Sequence, residues 1–369
     1  MKKSLIALAV LAASGAAMAQ SSVTLYGIAD VYFGSFKNGL SSVNNNTGAV
    51  TPASLTAVKQ TGLNPSTSAN GSNGGLSTSR WGVRGTEDLG GGLRAQFNLE
   101  QGINVDSGTA RGDQFDREAW VGLAGSFGDV RLGRTFTAYD QFRAGINANA
   151  NSNMAITGAV FGAAGGDYSS NIGNHIRYNS PSFSGFSFGA SYGFGENKTA
   201  TRDAADAMAF HVRYASGPLV VGVAYQEQGN FVTTGTAPNT VTSYTGFDTS
   251  YTMIGGSYNF GVAAVTAGYN MVDRDAALAA DKTEDNEYFL GVSVPLGKTT
   301  VFFGYADAET ESAAGVTTVE ASGFALHATY ELSKRTNVYA GYRDAKQETG
   351  AGVKTGELNQ VSVGIRHSF

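Results

Sequence analysis

The run Gly185-Phe186-Ser187-Phe188-Gly189-Ala190-Ser191-Tyr192-Gly193-Phe194-Gly195 decides how this chain folds. Successive side chains of a β-strand point to opposite faces. As a strand, the run carries Phe186, Phe188, Ala190, Tyr192 and Phe194 on one face. Its other face carries only Ser187, Gly189, Ser191 and Gly193.

The same alternation recurs along the chain. Met208, Phe210, Val212 and Tyr214 alternate with Ala209, His211 and Arg213. Phe324, Leu326, Ala328 and Tyr330 alternate with Ala325, His327, Thr329 and Glu331, and Val361, Val363, Ile365, His367 and Phe369 alternate with Ser362, Gly364, Arg366 and Ser368. Sixteen such segments are predicted, over 23–33, 77–87, 92–104, 115–124, 129–135, 174–180, 185–194, 207–215, 218–227, 250–260, 261–273, 287–295, 299–309, 321–332, 336–346 and 358–369. Seven short connections, such as Ser216-Gly217-Pro218 and Leu296-Gly297-Lys298, read as tight turns. They alternate with eight long polar ones, 34–76, 105–114, 136–173, 195–206, 228–249, 274–286, 310–320 and 347–357. An even strand count with both termini on the short-turn side is the layout of a bacterial outer-membrane barrel. The expected fold is therefore all-β: a 16-stranded antiparallel transmembrane β-barrel with short periplasmic turns and long external loops. A secreted β-sandwich is the competing reading. It fits less well, because an apolar face on every strand opposes a face bearing Arg, His, Glu and Gln, which suits a wet lumen, and closure removes the exposed edges of so long a meander.

The N-terminus agrees with export. Met1-Lys2-Lys3 is basic, Leu5 to Ala13 is apolar, and Ala17-Met18-Ala19 offers a small-x-small cleavage signature. Residues 1–19 read as a signal peptide and 20–369 as the barrel. No later apolar run approaches the length of a membrane-spanning helix. There are no cysteines, so thiol nucleophiles and thiolate metal sites are excluded; 50 glycines, 17 tyrosines and 21 phenylalanines stand beside six prolines, which suits strands and turns. The 25 basic and 30 acidic side chains give a net charge of −5, which argues against a nucleic-acid partner.

Several blocks resemble one family. Ser22-Val23-Thr24-Leu25-Tyr26-Gly27 with Asp30, the block Ser79-Arg80-Trp81-Gly82-Val83-Arg84-Gly85-Thr86-Glu87-Asp88-Leu89-Gly90-Gly91-Gly92-Leu93, Arg117 with Val121-Gly122-Leu123, and the ending Arg366-His367-Ser368-Phe369 are similar to Gram-negative porins of the Neisseria, Bordetella, Comamonas and Burkholderia type. The resemblance implies a homotrimeric outer-membrane porin, passing small hydrophilic solutes and inorganic ions by passive diffusion, whose third loop folds into the barrel. It also implies that Phe369, ending an amphipathic last strand, is the signal read by the outer-membrane assembly machinery. A lipid-facing aromatic at the interface is the plainer reading of the same residue.

A pore needs a constriction, not a catalytic group. The connection 136–173 is the candidate inserted loop. It carries Asp140, Arg143 and Asp167, with a Gly/Ala-rich run that allows close packing. The resemblance places stacked arginines at Arg80, Arg117 and Arg177. Strand parity aims Arg80, Arg84 and Arg177 into the lumen, with Glu118 available as an ion-pair partner. Arg117 shares parity with Ala119, Val121 and Leu123, a lipid-facing set, so it needs a bulge or a strand that starts later to turn inward. Such a cluster predicts anion preference. A substrate-specific channel and an adhesin or surface antigen are the other readings. An enzyme is disfavoured, because the four histidines are scattered without a nucleophile motif. No cofactor is implied and no metal-ligand spacing occurs; the loop carboxylates Asp273, Asp275 and Asp281 leave calcium open.

Overall fold

The computed structural model describes residues 22–43, 50–65, 75–146, 152–163, 167–196, 198, 200, 204–234, 241–276 and 278–369. The signal peptide read over 1–19 lies outside these residues. Sixteen strands build the barrel wall: β1 (Ser22–Asn38), β2 (Arg80–Gly90), β3 (Leu93–Asn104), β4 (Glu118–Gly125), β5 (Gly128–Phe136), β6 (Asn171–Asn179), β7 (Phe186–Gly193), β8 (Ala207–Ser216), β9 (Leu219–Thr234), β10 (Val241–Asn259), β11 (Ala264–Arg274), β12 (Thr283–Leu296), β13 (Thr299–Ser312), β14 (Thr317–Glu331), β15 (Thr336–Thr349) and β16 (Lys354–Ser368). Each pairs antiparallel with its sequence neighbour, and β1 closes the barrel by pairing with β16 from Ile28↔Ser368 to Asn38↔Leu358. Below Ile28, β1 pairs with β2; above it, the short strand Gln60–Leu63 takes over that edge at Phe33–Phe36.

The alternation sets the two faces. On β7, Phe186, Phe188 and Tyr192 are 54%, 44% and 37% exposed, while Ser191 on the inner face is buried. Such apolar exposure around a closed wall is a lipid-facing band. Above it, on the long-loop side, tyrosine hydroxyls donate to polar groups on the same outer face: Tyr225 to Glu227 at 2.8 Å, Tyr305 to Asp307 at 3.0 Å, Tyr342 to Asp344 at 3.2 Å, and likewise Tyr192 to Asp206 and Tyr269 to Asn286. Amphipathic rings with a wet hydroxyl suit this interface. At the opposite end, Gly217 (φ 54°) and Gly297 (φ 66°) occupy the left-handed region that their tight turns demand, where a Cβ would be strained. Phe369 finishes the wall there. Its N–H and C=O exchange 3.1 Å hydrogen bonds with Gly27, and its ring fills the space a Gly27 side chain would take.

β9 and β10 run well past the expected 218–227 and 250–260, pairing as far as Thr234↔Val241. The extra residues are mostly polar. Alternation reports only the part of a strand that faces lipid, and backbone pairing continues where the hairpin stands in water.

The connection from β5 to β6 enters the barrel. It carries two helices that the sequence reading did not anticipate, α1 (Ala138–Ile146) and α2 (Thr157–Ala163). Thr137 caps α1, its Oγ1 accepting from the Asp140 N–H at 3.2 Å. α1 lies against β7 to β10 and α2 against β13 to β15. Tyr139, Phe142, Ile146, Val160 and Phe161 are almost fully buried, packed on wall residues such as Ala224, Met253, Ala306 and Ala325. The wall is cut to fit: a Cβ at Gly222 would come within 2.6 Å of Phe142, one at Gly255 within 2.6 Å of Ile146, and one at Gly341 within 2.4 Å of Met154. Small inner-face residues therefore seat the loop. A buried polar chain adds to this: Tyr139 donates to Asn270 Oδ1 at 2.6 Å, and Asn270 donates to Glu287 at 2.6 Å.

Candidate pore constriction

With the loop packed against β7 to β15, the open part of the lumen lies on the other side. A cavity of about 970 Å³ remains between the loop and the wall side formed by β1, β2, β4 to β6, β15 and β16. Arg80, Arg117, Arg177, Glu118, Asp140 and Asp167 all line it. Arg84 does not. It is four positions along β2 from Arg80, about 13 Å at strand rise, and its guanidinium lies over the Tyr26 ring 4.8 Å away, nearer the short-turn end. Arg84 thus stands outside the cavity that the other expected constriction residues line.

Glu100 organises the first pair of arginines. Its Oε1 is 2.6 Å from Arg117 Nε and its Oε2 is 3.3 Å from Arg80 Nε. Arg117 turns inward because β4 starts only at Glu118. Phe115 sits at φ 54°, and the Asp116 carboxylate accepts from the Gly102 N–H at 2.7 Å, so the chain is in a tethered bend and strand parity does not govern position 117. Arg177 donates to the Phe136 carbonyl at 2.9 Å. Directly across from it stands Arg131, which pairs with Asp129 at 2.7 Å and lies 4.5 Å over the Trp120 ring. Arg111, Arg343 and Arg366 complete the wall side. Arg343 also holds the loop, donating to the Asn153 carbonyl at 2.7 Å.

The loop side is mixed in charge. Arg143 makes a two-oxygen pair with Asp167 at 2.6 and 2.8 Å and lies over the rings of Phe161 and Tyr168. Burial works against its charge, but Asp167 more than restores it, and the guanidinium stays protonated. Asp140 accepts from the Tyr168 hydroxyl at 2.7 Å. Burial raises the Asp140 carboxyl to about 6, against the opposing pull of that hydrogen bond and of Arg143. Glu118 accepts from Asn98 at 2.7 Å.

Eight arginines thus line the cavity against three carboxylates. Arg131 was missed from the sequence, although its alternation with Val130 and Leu132 marks it as inward-facing. Arg111 lies in a loop, where no periodicity could have pointed to it. Among the described residues, no group of three or more His, Cys, Asp or Glu is placed to hold a metal. Asp275 is instead paired with Lys282 at 2.5 Å.

A family model described as Gram-negative porin matches residues 5–350. Outer membrane porin protein 32 of Delftia acidovorans is 38% identical over 307 residues, covering 80% of this chain and 77% of that one. An outer membrane porin protein of Bordetella pertussis is 32% identical over the full length of both chains. Among solved structures, an anion-selective porin from Comamonas acidovorans superposes with a TM-score of 0.72 at 31% identity, covering 95% of this chain and 100% of that one.

Proposed function

Since this chain belongs to the Gram-negative porin family and forms an outer-membrane channel for passive diffusion, we propose that its constriction is the arginine-lined cavity and that small anions pass in preference to cations. One observation carries this reading: eight guanidinium groups but only three carboxylates line the cavity beside the inserted loop. Guanidinium does not lose its proton in practice and matches carboxylate and phosphate geometry. The chain's net charge of −5 does not contradict the reading, because charges on distant loops are screened beyond roughly 8–10 Å. The anion selectivity of the Comamonas protein supports it. Transport needs no reacting group: solutes enter a wet lumen, are drawn to the positive arc and leave down their gradient. Arg80, Arg117 and Arg177 are the wall charges that set the preference, and Asp140 and Asp167 are the loop carboxylates that temper it.

The working assembly is read as a homotrimer, with export by cleavage after Ala19 and recognition of the Phe369 strand by the assembly machinery. These follow from the family resemblance and from the sequence of the termini.

Reversal potentials across planar bilayers under a KCl gradient test the central reading. The wild type should be anion-selective, and the double substitution Arg80→Ala and Arg177→Ala should move the ratio toward cations. A wild-type channel that prefers cations would sink it.

A further inference from the structure

β1 changes neighbours partway along its length. Its pairing with β2 ends at Ile28, and its pairing with the short strand Gln60–Leu63 begins at Phe33. Asp30 falls in the gap. There the Ser79 hydroxyl stands in for a strand: it accepts from the Asp30 N–H at 2.9 Å and donates to the Asp30 carbonyl at 2.9 Å. Buried backbone groups need such partners. The Asp30 side chain is on the inner face and only 4% exposed. Its carboxylate accepts from the Ser77 N–H at 2.7 Å and from the Tyr339 hydroxyl of β15 at 2.5 Å. The chain passes over that carboxylate at Gly75, where a Cβ would come within 2.8 Å of Oδ1. The end of the first long loop is thus tied to β1 through one buried acid, and charge-assisted bonds of this kind are the strong ones.

The tied segment in turn holds arginines. Ser77 Oγ accepts from Arg366 Nε at 2.9 Å, the Thr78 carbonyl from Arg80 at 3.2 Å, and Thr78 Oγ1 from Arg111 at 3.2 Å. The Leu76 carbonyl accepts from the Asn153 N–H of the inserted loop at 2.9 Å. Ser77, Thr78 and the three arginines line the channel cavity, and Asp30 does not. Three of the eight cavity guanidinium groups therefore rest on a segment outside the wall strands, and Asp30 fixes where that segment sits. A guanidinium on a long side chain keeps its place only while its acceptors keep theirs.

We propose that Asp30 is a positioning residue for anion selection, setting the places of Arg80, Arg111 and Arg366 through Ser77 and Thr78. This rests on the cavity being the constriction. The charge of Asp30 would act in the opposite sense: a carboxylate beside arginines opposes anions, so its loss alone raises anion preference. Two variants that lose the same charge separate the effects. Asp30→Asn keeps an oxygen for the Ser77 N–H and an amide that can donate to the Tyr339 hydroxyl oxygen, whereas Asp30→Ala keeps neither.

The experiment is the reversal potential of the full-length barrel and both variants in planar bilayers under a KCl gradient. The anion-to-cation permeability ratio of Asp30→Asn should equal or exceed that of the wild type. That of Asp30→Ala should be about twofold below Asp30→Asn, the effect of displacing a unit charge in a wet pore. Equal ratios in the two variants would overturn the proposal, because charge alone would then account for Asp30. If Asp30→Ala does not refold, Ser79→Ala decides, since it unties the segment and leaves every charge in place: its ratio should fall, and an unchanged ratio would overturn the proposal. The two readings fail separately. A cation-preferring wild type overturns the constriction reading, and equality of the two Asp30 variants overturns this one.

Discussion

Arg131 and Arg177 are cross-strand partners on β5 and β6, and both guanidinium groups reach the channel cavity. Like charges directly opposite in a sheet destabilise it, by up to about 1 kcal/mol. Arg131→Gln should therefore leave the barrel no less stable in thermal unfolding in detergent, and should lower anion preference. A loss of stability would mean that stacking on Trp120 and pairing with Asp129 outweigh the repulsion.

Glu100 neutralises part of the charge on both Arg80 and Arg117. Glu100→Gln keeps an acceptor oxygen while removing one negative charge. The anion-to-cation permeability ratio should rise about twofold, the size expected for a unit charge some 10 Å from the ion path in a wet pore. Reversal potentials measure it, and no change would place the ion path away from this pair.

Asp140 should give the channel a pH dependence. Its carboxyl is raised to about 6, so it is charged above that pH and neutral below it. As pH falls through about 6 the constriction loses a negative charge, and anion preference should rise. In Asp140→Asn the step near pH 6 should vanish, leaving the high-preference state at neutral pH. Selectivity measured from pH 8 to pH 5 in both channels is the test.

Asp167→Asn leaves the buried Arg143 guanidinium without its ion-pair partner. Removing one partner of a buried pair costs about 3 kcal/mol. Because the damage is confined to the inserted loop, the wall should stay folded while α1 loosens. Faster amide exchange over 138–146 and flickering single-channel current are the expected signs. A quiet channel with unchanged exchange would show that the packing of Phe142 and Ile146 suffices alone.

Strand number, closure and the inward aim of Arg80 and Arg177 were legible in the sequence, because lipid on one side and water on the other impose a period of two. Arg117 was legible only as a conflict. Its parity pointed to lipid, and the bend at Phe115 and Asp116, which resolves it, depends on a carboxylate meeting the Gly102 N–H of a neighbouring strand. The helices α1 and α2 left no usable pattern. Segments this short are marginal on their own and are helical because the wall buries them. The grooves at Gly222, Gly255 and Gly341 that receive the loop looked like ordinary small lumen residues, since a pocket made by distant strands has no local signature.

The closing seam has a kinetic consequence. Ile28 pairs with Ser368, so the contact that turns a sheet into a tube joins nearly the two ends of the chain. Every other wall pair joins strands that are consecutive in the chain, but this one must wait for all of them. Until it forms, β1 and β16 present open edges, a template for pairing with the wrong chain. Closure is therefore the late, slow step set by loop entropy. A shortened chain lacking either edge has no smaller barrel to fall back on, and its expected fate is proteolysis or aggregation.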